Sequence, residues 1–317
     1  MKIMRLPLLS FAICILCAAF LRADRAATRQ AAESMGIFEG HGDVGTVLHA
    51  GSAVYDGANK TYTVSGSGEN MWFGKDEFQF AWKKASGDVA IAADIHFLGT
   101  GGNPHRKAVL MIRQNLDADS MYADVALHGL GLTSLQYRDA KGADTHEVQA
   151  NISAPARLRI EKHGDYFSMW LGGESGEPQF AGGSVRVQIG GDFYVGIGVC
   201  SHDKDRVETA VFSNVQIQEL KSAPMGAENS ESQMTLYSTL ENVTVASTDR
   251  RVIYATQGRI EAPNWTHDGK TLLFNRNGRI EKIPAEGGTP ETIDTGFATR
   301  CNNDHGISPD GKELAIS

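Results

Sequence analysis

Cysteine, proline and clustered positive charge are all scarce in this 317-residue chain, and each shortage removes a class of function. There are four cysteines. Cys14 and Cys17 fall in an N-terminal apolar run, which leaves Cys200 and Cys301 for the body of the protein. No zinc-type cysteine spacing exists. The two remaining cysteines either pair or stay as free buried thiols. Thirty Lys and Arg against thirty-eight Asp and Glu give a formal charge of −8, with no basic stripe. Nucleic acid and anionic membrane surfaces are therefore poor partners. Past the first two dozen residues there is no apolar run near the roughly 20 residues of a membrane helix. No convincing 3.6-residue apolar period appears between residues 35 and 220. Catalytic signatures are missing too. Ser65-Gly66-Ser67-Gly68 lacks the strand-to-helix setting of a nucleophile elbow. The loop from Gly99 to Lys107 lacks the strand–GxxxxGK–helix setting of a phosphate cradle.

The N-terminus carries a targeting pattern. Met1 to Arg5 is basic, Leu6 to Phe20 is apolar or small, and Ala18, Ala19 and Ala23 offer cleavage positions. This is the layout of a secretory signal peptide over residues 1–23 and predicts a secreted or periplasmic protein. A lipid anchor on Cys14 or Cys17 is the competing reading, but bulky Ile13 and Leu16 precede them. Residues 24–34 read as a linker or short helix.

From residue 35 to 220 the chain reads as short strands separated by Gly-, Asn- and Asp-rich turns, such as Ser86-Gly87-Asp88 and His163-Gly164-Asp165. These residues tolerate positive φ or bond their own backbone. About a dozen strands of this kind predict an antiparallel jelly-roll-like sandwich. Residues 221–235, polar and without alternation, read as a linker. Residues 236–317 repeat themselves. Trp265-Thr266-His267-Asp268-Gly269-Lys270 is echoed by Ile307-Ser308-Pro309-Asp310-Gly311-Lys312, one propeller-blade length of roughly 40–45 residues later. About two blades fit, and the last strand reads as cut off, so a longer reading frame is expected.

On these residues, with Ile283-Pro284-Ala285-Glu286-Gly287-Gly288 between them, the C-terminal part resembles TolB-like, WD-like β-propeller repeats. Residues 35–220 are similar to concanavalin/laminin-G-like sandwiches, on Ser86-Gly87-Asp88, the Phe193-to-Val199 strand with Ser201-His202, and the closing strand Val207 to Val215. The first resemblance implies envelope assembly or biopolymer transport, and the second implies carbohydrate binding. The fold expected is all-β, a sandwich followed by an incomplete propeller.

Strand alternation sorts the ionisable side chains. Asp94 and His96 oppose Ile91, Ala93 and Ile95. Arg113 lies opposite Ala108, Leu110 and Ile112. Asp124 and His128 oppose Ala123, Val125 and Leu127, and Gln136 and Arg138 oppose Leu135 and Tyr137. If these strands are neighbours, they carry one polar face, either a sugar-binding groove or an ordinary solvated surface. Trp72 is the candidate stacking platform. Trp170 could also stack, and Trp82 reads as core beside Phe78 and Phe80. His105 and Arg106 would sit on a groove-rim loop. Asn303, Asp304 and His305 are candidates for a propeller mouth or for plain turn capping. No residue is assigned a catalytic role and no cofactor is expected, with calcium as the alternative to none. Asp117, Asp119 and Asp124 lack the spacing of a calcium loop. The main reading is a binding or scaffold protein with a glycan or an envelope protein as partner. The alternative is an enzyme, a polysaccharide lyase or a propeller-bearing peptidase, acting in the propeller mouth or beyond residue 317.

Overall fold

The computed structural model describes residues 35–172, 177–220 and 235–317. The signal peptide, Cys14, Cys17 and residues 221–234 of the expected linker lie outside the described residues. Residues 37–317 form one compact unit. The described residues are all-β, with no helix among them.

Among the described residues twenty-four strands follow in order. They begin with β1 (Gly40–Val44), β2 (Ser52–Asp56), β3 (Thr61–Gly66), β4 (Met71–Trp72), β5 (Lys75–Asp76), β6 (Phe78–Ser86), β7 (Val89–Phe97) and β8 (Lys107–Arg113). Next come β9 (Tyr122–His128), β10 (Thr133–Arg138), β11 (His146–Gln149), β12 (Arg157–His163), β13 (Tyr166–Gly172), β14 (Gln179–Arg186), β15 (Asp192–Cys200) and β16 (Glu208–Glu219). The last are β17 (Tyr237–Val243), β18 (Arg250–Gln257), β19 (Ile260–Trp265), β20 (Thr271–Arg276), β21 (Arg279–Pro284), β22 (Glu291–Thr292), β23 (His305–Ile307) and β24 (Leu314–Ile316).

Two large sheets dominate. One has the order β1-β6-β15-β8-β9-β10-β11-β18-β17 and the other β14-β13-β12-β7-β16-β3-β2. Their facing sides make the core. Leu110, Ile112, Val125, Leu135, Val195 and Ile197 meet Ile91, Ile160, Met169 and Phe212, all fully buried. Period-2 alternation dictates this split, because every second side chain on each strand must reach the opposing sheet. Apolar burial on this scale, at roughly 25 cal/mol per Å², dominates the stability of the fold.

The outward side of the nine-stranded sheet is also covered, which alternation alone does not announce. Val44, Met71, Phe78, Phe80, Val109, Met111, Tyr122, Ala126 and Cys200 form a second buried cluster there. Trp82, expected in the core, is half-buried in this layer, against Phe80 and Tyr194. Space for the rings comes from β15, where a Cβ on Gly198 would stand 2.8 Å from the Phe78 ring.

The strand order corrects one expectation. β8, β9 and β10 are neighbours, but β7 belongs to the other sheet, so Asp94 and His96 lie far from the remaining polar candidates. They sit on the outward side of the seven-stranded sheet. There Asp94 accepts hydrogen bonds from Arg157 at 2.8 Å and from Asn214, and His96 is exposed.

The TolB-like propeller, and with it the WD-like and biopolymer-transport reading, is overturned. The Asp-Gly turns do form, each with a hydroxyl donating to the aspartate two positions on, Thr266 to Asp268 and Ser308 to Asp310. Ring closure does not follow. β17 and β18 join the nine-stranded sheet through parallel pairing of β18 with β11, β19 to β22 form one four-stranded sheet, and β23 with β24 form a hairpin. The three layers stack through Leu240, Ile253, Phe274 and Ile283, then through Leu273, Ile280 and Cys301. A repeated turn fixes a hairpin locally, whereas closure needs contacts between the first and last sheets. Cys200 and Cys301 are both free and buried.

Candidate active site on the nine-stranded sheet

The outward side of β8, β9, β10 and β11 holds the ionisable residues that the sequence sorted onto one face, and it divides into two parts. In the first, the β4–β5 hairpin lies over the sheet and is tied down from below. Asp76 is fully buried and accepts from Arg138 Nη2 at 2.7 Å, Arg138 Nη1 at 3.0 Å and Arg113 Nη2 at 3.3 Å. Arg138 also donates through Nη2 to the Phe73 carbonyl at 2.7 Å, and Arg113 donates to the carbonyls of Asn115 and Asp117. Planar guanidinium forks suit this work, since several fixed donors can satisfy a carboxylate and carbonyls together. Arg113 and Arg138 are thus buried hairpin anchors and not groups facing solvent. Phe73 sits at the hairpin tip with φ 47°, a left-handed conformation rarely adopted by a bulky residue.

The second part is an opening beside the hairpin, a cavity of about 350 Å³ whose lining includes Asn70, Trp72, His105, Lys107, His128, Glu147, Gln149 and His202. Its floor is built in register. Lys107 pairs with His128 across β8 and β9, and two rows along the strands Asp124, Gln136 and Glu147 stand side by side on β9, β10 and β11. Adjacent strands are about 4.8 Å apart, so this row spans roughly 10 Å.

The electrostatics of the floor are unusual. Lys107 is buried, with Nζ donating to Asn70 Oδ1 and to the Met71 carbonyl, both at 3.0 Å, and lying 5.2 Å from the Trp72 ring. Burial holds its pKa below the usual lysine value, although Cys200 and Asp124 pull the other way. Asp124 is fully buried with neither carboxyl oxygen hydrogen-bonded. Desolvation raises its pKa well above the usual carboxylate value, against the pull of Lys107. His128 is held down to about 3 by burial, with Lys107, His105 and His202 adding repulsion. It is therefore neutral near pH 7. Gln136 Nε2 lies 3.1 Å from His128 Nε2; the amide nitrogen can only donate, so this ring nitrogen accepts and the proton rests on Nδ1. That atom has no hydrogen-bond partner, nor has Nδ1 of His202.

His202 adopts φ 55°, and its ring lies 5.5 Å from that of His105, which in turn stands 5.9 Å from His128. Backbone strain and unpaired buried polar atoms concentrate at functional sites, and both meet here. Among the described residues, no group of three or more His, Cys, Asp or Glu is arranged to hold a metal ion. Asp117 and Asp119 instead bind Lys141 on the surface, far in environment from buried Asp124.

Of the sequence candidates, the structure thus gathers Trp72 and His128 at the cavity, with Asp124 and Gln136 beneath it. His105 reaches the same cavity from its rim loop, while Arg106 turns to Glu208. Asn303 and Asp304 lie in an exposed loop and His305 opens β23, where its Nδ1 contacts the Asn303 carbonyl at 3.3 Å. They line no propeller mouth. Trp170 stacks edge-on with Phe180 and Tyr237, away from the cavity. A separate hollow of about 550 Å³ lies between the two Asp-Gly turns, but its aspartates already bond their own turns. Sequence reasoning missed Asp76, Glu147 and Gln149. The two-residue strands β4 and β5 and the four-residue polar β11 carry no usable alternation.

Comparison with known proteins is sparse. No family model matches the chain. An uncharacterized protein of Agrobacterium fabrum is 48% identical over 84 residues, 26% of this chain. The chain spans only 29% of the length of that curated relative. Among solved structures, similarity is found to a functionally unknown protein from Saccharomyces cerevisiae, with TM-score 0.43 and 13% identity over 54% of this chain and 93% of that one. A family 7 alginate lyase gives 0.37 and 7% over 53% and 83%. A prokaryotic β-1,3-1,4-glucanase from a mouse hindgut metagenome gives 0.32 and 10% over 57% and 93%. No helix among the described residues is long and apolar enough to cross a membrane.

Proposed function

We propose that the protein acts on carbohydrate, binding a saccharide in the cavity beside the β4–β5 hairpin and carrying out acid–base chemistry on it. The observation that carries this reading is the composition of that one cavity. Trp72 supplies an aromatic wall, Asn70 and Gln149 supply amides for hydroxyl groups, and Lys107, His128 and Glu147 supply groups able to move protons. Neutral His128 has its Nδ1 unpaired, so a bound hydroxyl or ring oxygen would satisfy an otherwise unbonded donor. Burial lowers the pKa of Lys107, which eases release of its proton towards a ligand in the same lining. Cleavage by elimination or by hydrolysis both need such a pair of proton-moving groups.

The same reading makes a glycan the partner and places the protein outside the cytoplasm. The basic-then-apolar N-terminus ending in small residues supports that location.

The test is a panel of alginate, pectate, xylan, laminarin and mixed-linkage β-glucan, scored by calorimetry, new reducing ends and ultraviolet absorbance of unsaturated products. Binding that Trp72→Ala weakens and turnover that His128→Gln abolishes would support the reading. Silence across the panel, with a folded protein, would remove it.

A further inference from the structure

We propose that this cavity receives the end of a saccharide chain and not its interior, because the β4–β5 hairpin is bolted across the face over which a polymer would lie. The inference rests on the carbohydrate reading above and specifies the form of its ligand.

An uncovered face of this sheet would offer a wide trough. Nine strands at about 4.8 Å spacing span roughly 38 Å, enough for a polymer to cross from edge to edge. Here the central part of that face is not available. Phe78 and Phe80 on β6, Val109 and Met111 on β8, and Tyr122 on β9 are all fully buried. They share one buried cluster with Met71 of the hairpin, and Leu116 and Ala118 pack against that cluster.

The hairpin is held at every point where it could lift. At its first strand, the Met71 carbonyl accepts from Lys107 at 3.0 Å and from the Tyr122 hydroxyl at 3.4 Å. At its tip, the Phe73 carbonyl accepts from Nε and Nη2 of Arg138 and from Thr145. Its second strand holds Asp76 between two arginines, and Asp76 N donates to the Ala118 carbonyl at 2.8 Å. Raising the hairpin would strand two buried guanidiniums without their carboxylate, a strongly unfavourable state. The hairpin is accordingly a wall and not a lid.

On its far side the cavity is bounded by the loop carrying His105. This loop is joined to the turn after β9, with Gly129 N donating to the Arg106 carbonyl at 2.9 Å and Leu130 N to that of Pro104 at 3.3 Å. What remains is a recess of about 350 Å³, at the small end of the 300–1,000 Å³ usual for small-molecule sites. A second hollow of about 890 Å³ shares Asn70, Trp72, Phe73 and His202 with it and is lined further by Gly74, Lys75 and Glu77. A terminal sugar seated in the recess would leave the following units to run outward over Trp72 into that hollow. An internal unit has chain on both sides, and the hairpin stands where one of the two would run.

The experiment uses the full chain and whichever polysaccharide of the panel binds. Its sample is split, and one half is hydrolysed to chains about ten times shorter; binding capacity per gram is then measured at fixed protein concentration. End recognition predicts a capacity about tenfold higher for the short chains with an unchanged Kd per site. If turnover occurs, it also predicts short products from the first minutes with little loss of viscosity. Equal capacity per gram in the two halves, or early broad product lengths, would overturn the inference and leave the carbohydrate reading standing. Absence of binding to every polysaccharide would remove that reading and the inference with it.

Discussion

Replacing Asp76 by alanine probes the hairpin anchor directly. The carboxylate and its two arginine partners have no exposed side-chain surface, so water cannot take over the lost contacts. Removing one member of a buried ion pair typically costs about 3–5 kcal/mol, most of it the penalty of the charge left behind. Two guanidiniums are left behind here, which places Asp76→Ala at the upper end, about 5 kcal/mol. Asp76→Asn keeps one acceptor oxygen and the shape, and is expected to lose less. A triple change of Asp76, Arg113 and Arg138 to apolar residues of similar volume should recover much of the loss, because no charge then remains buried. Urea unfolding of the four proteins at one pH measures all of this from midpoints at constant slope. Total stability of about 5–15 kcal/mol makes a loss of this size visible as a large shift in midpoint or as failure to fold. High salt should alter it little, since the pair is shielded from counter-ions. An Asp76→Ala protein within about 1 kcal/mol of wild type would refute the network as described, because only a solvated pair is worth so little.

Other consequences can be checked separately. His128 is held at about 3 in the folded protein against 6.5 unfolded, so its contribution is complete above pH 6.5 and is lost as pH falls; about 1.4 kcal/mol per pH unit gives roughly 3 kcal/mol between pH 6.5 and 4.5. Asp124, whose pKa is raised, has the opposite sign and loses its contribution as pH rises, so the difference in urea midpoint between wild type and His128→Gln isolates the histidine. An equal acid slope in both proteins would contradict the burial of His128. Trp72→Ala should weaken saccharide binding by about tenfold or more while leaving the thermal midpoint nearly unchanged, as expected for an aromatic contact at a site rim. Asp94→Ala, on the outward face of the other sheet, should cost under about 1 kcal/mol and leave binding untouched. Burial pushes the Cys200 thiol up to about 11, so a thiol reagent should label it only after denaturation, and fast native labelling would disprove its position.

The placement of the polar residues was legible where strands are long enough to alternate. Arg113 on β8, Asp124 and His128 on β9, and Gln136 and Arg138 on β10 do share one side of one sheet. The alternation could not say that this side is roofed, because a period of two reports which side a residue faces and not what stands above it. Asp76, the residue that settles the fate of both arginines, lies in a two-residue strand with no period to read. Asp94 and His96 were grouped with the others because β7 immediately precedes β8 in sequence. Their separation depends on β15 returning to lie beside β8, a pairing between distant segments that local pattern does not encode. The C-terminal turns show the same limit from the other direction. Asp268-Gly269 and Asp310-Gly311 were read correctly as hairpin turns, and the ring inferred from their repetition did not follow.

The return of β15 also governs when the protein can begin to exist. β15 sits between β6 and β8, more than a hundred positions downstream of β6, so the middle of the larger sheet has no partner strand until residue 200 is available. Loop-closure entropy must be overcome before those contacts form, which makes folding slow and late in the life of the growing chain. Until then the bare edges of β6 and β8, rich in Phe, Val and Met, stand exposed, and a helper that shields them during synthesis or transit would raise the yield of native protein.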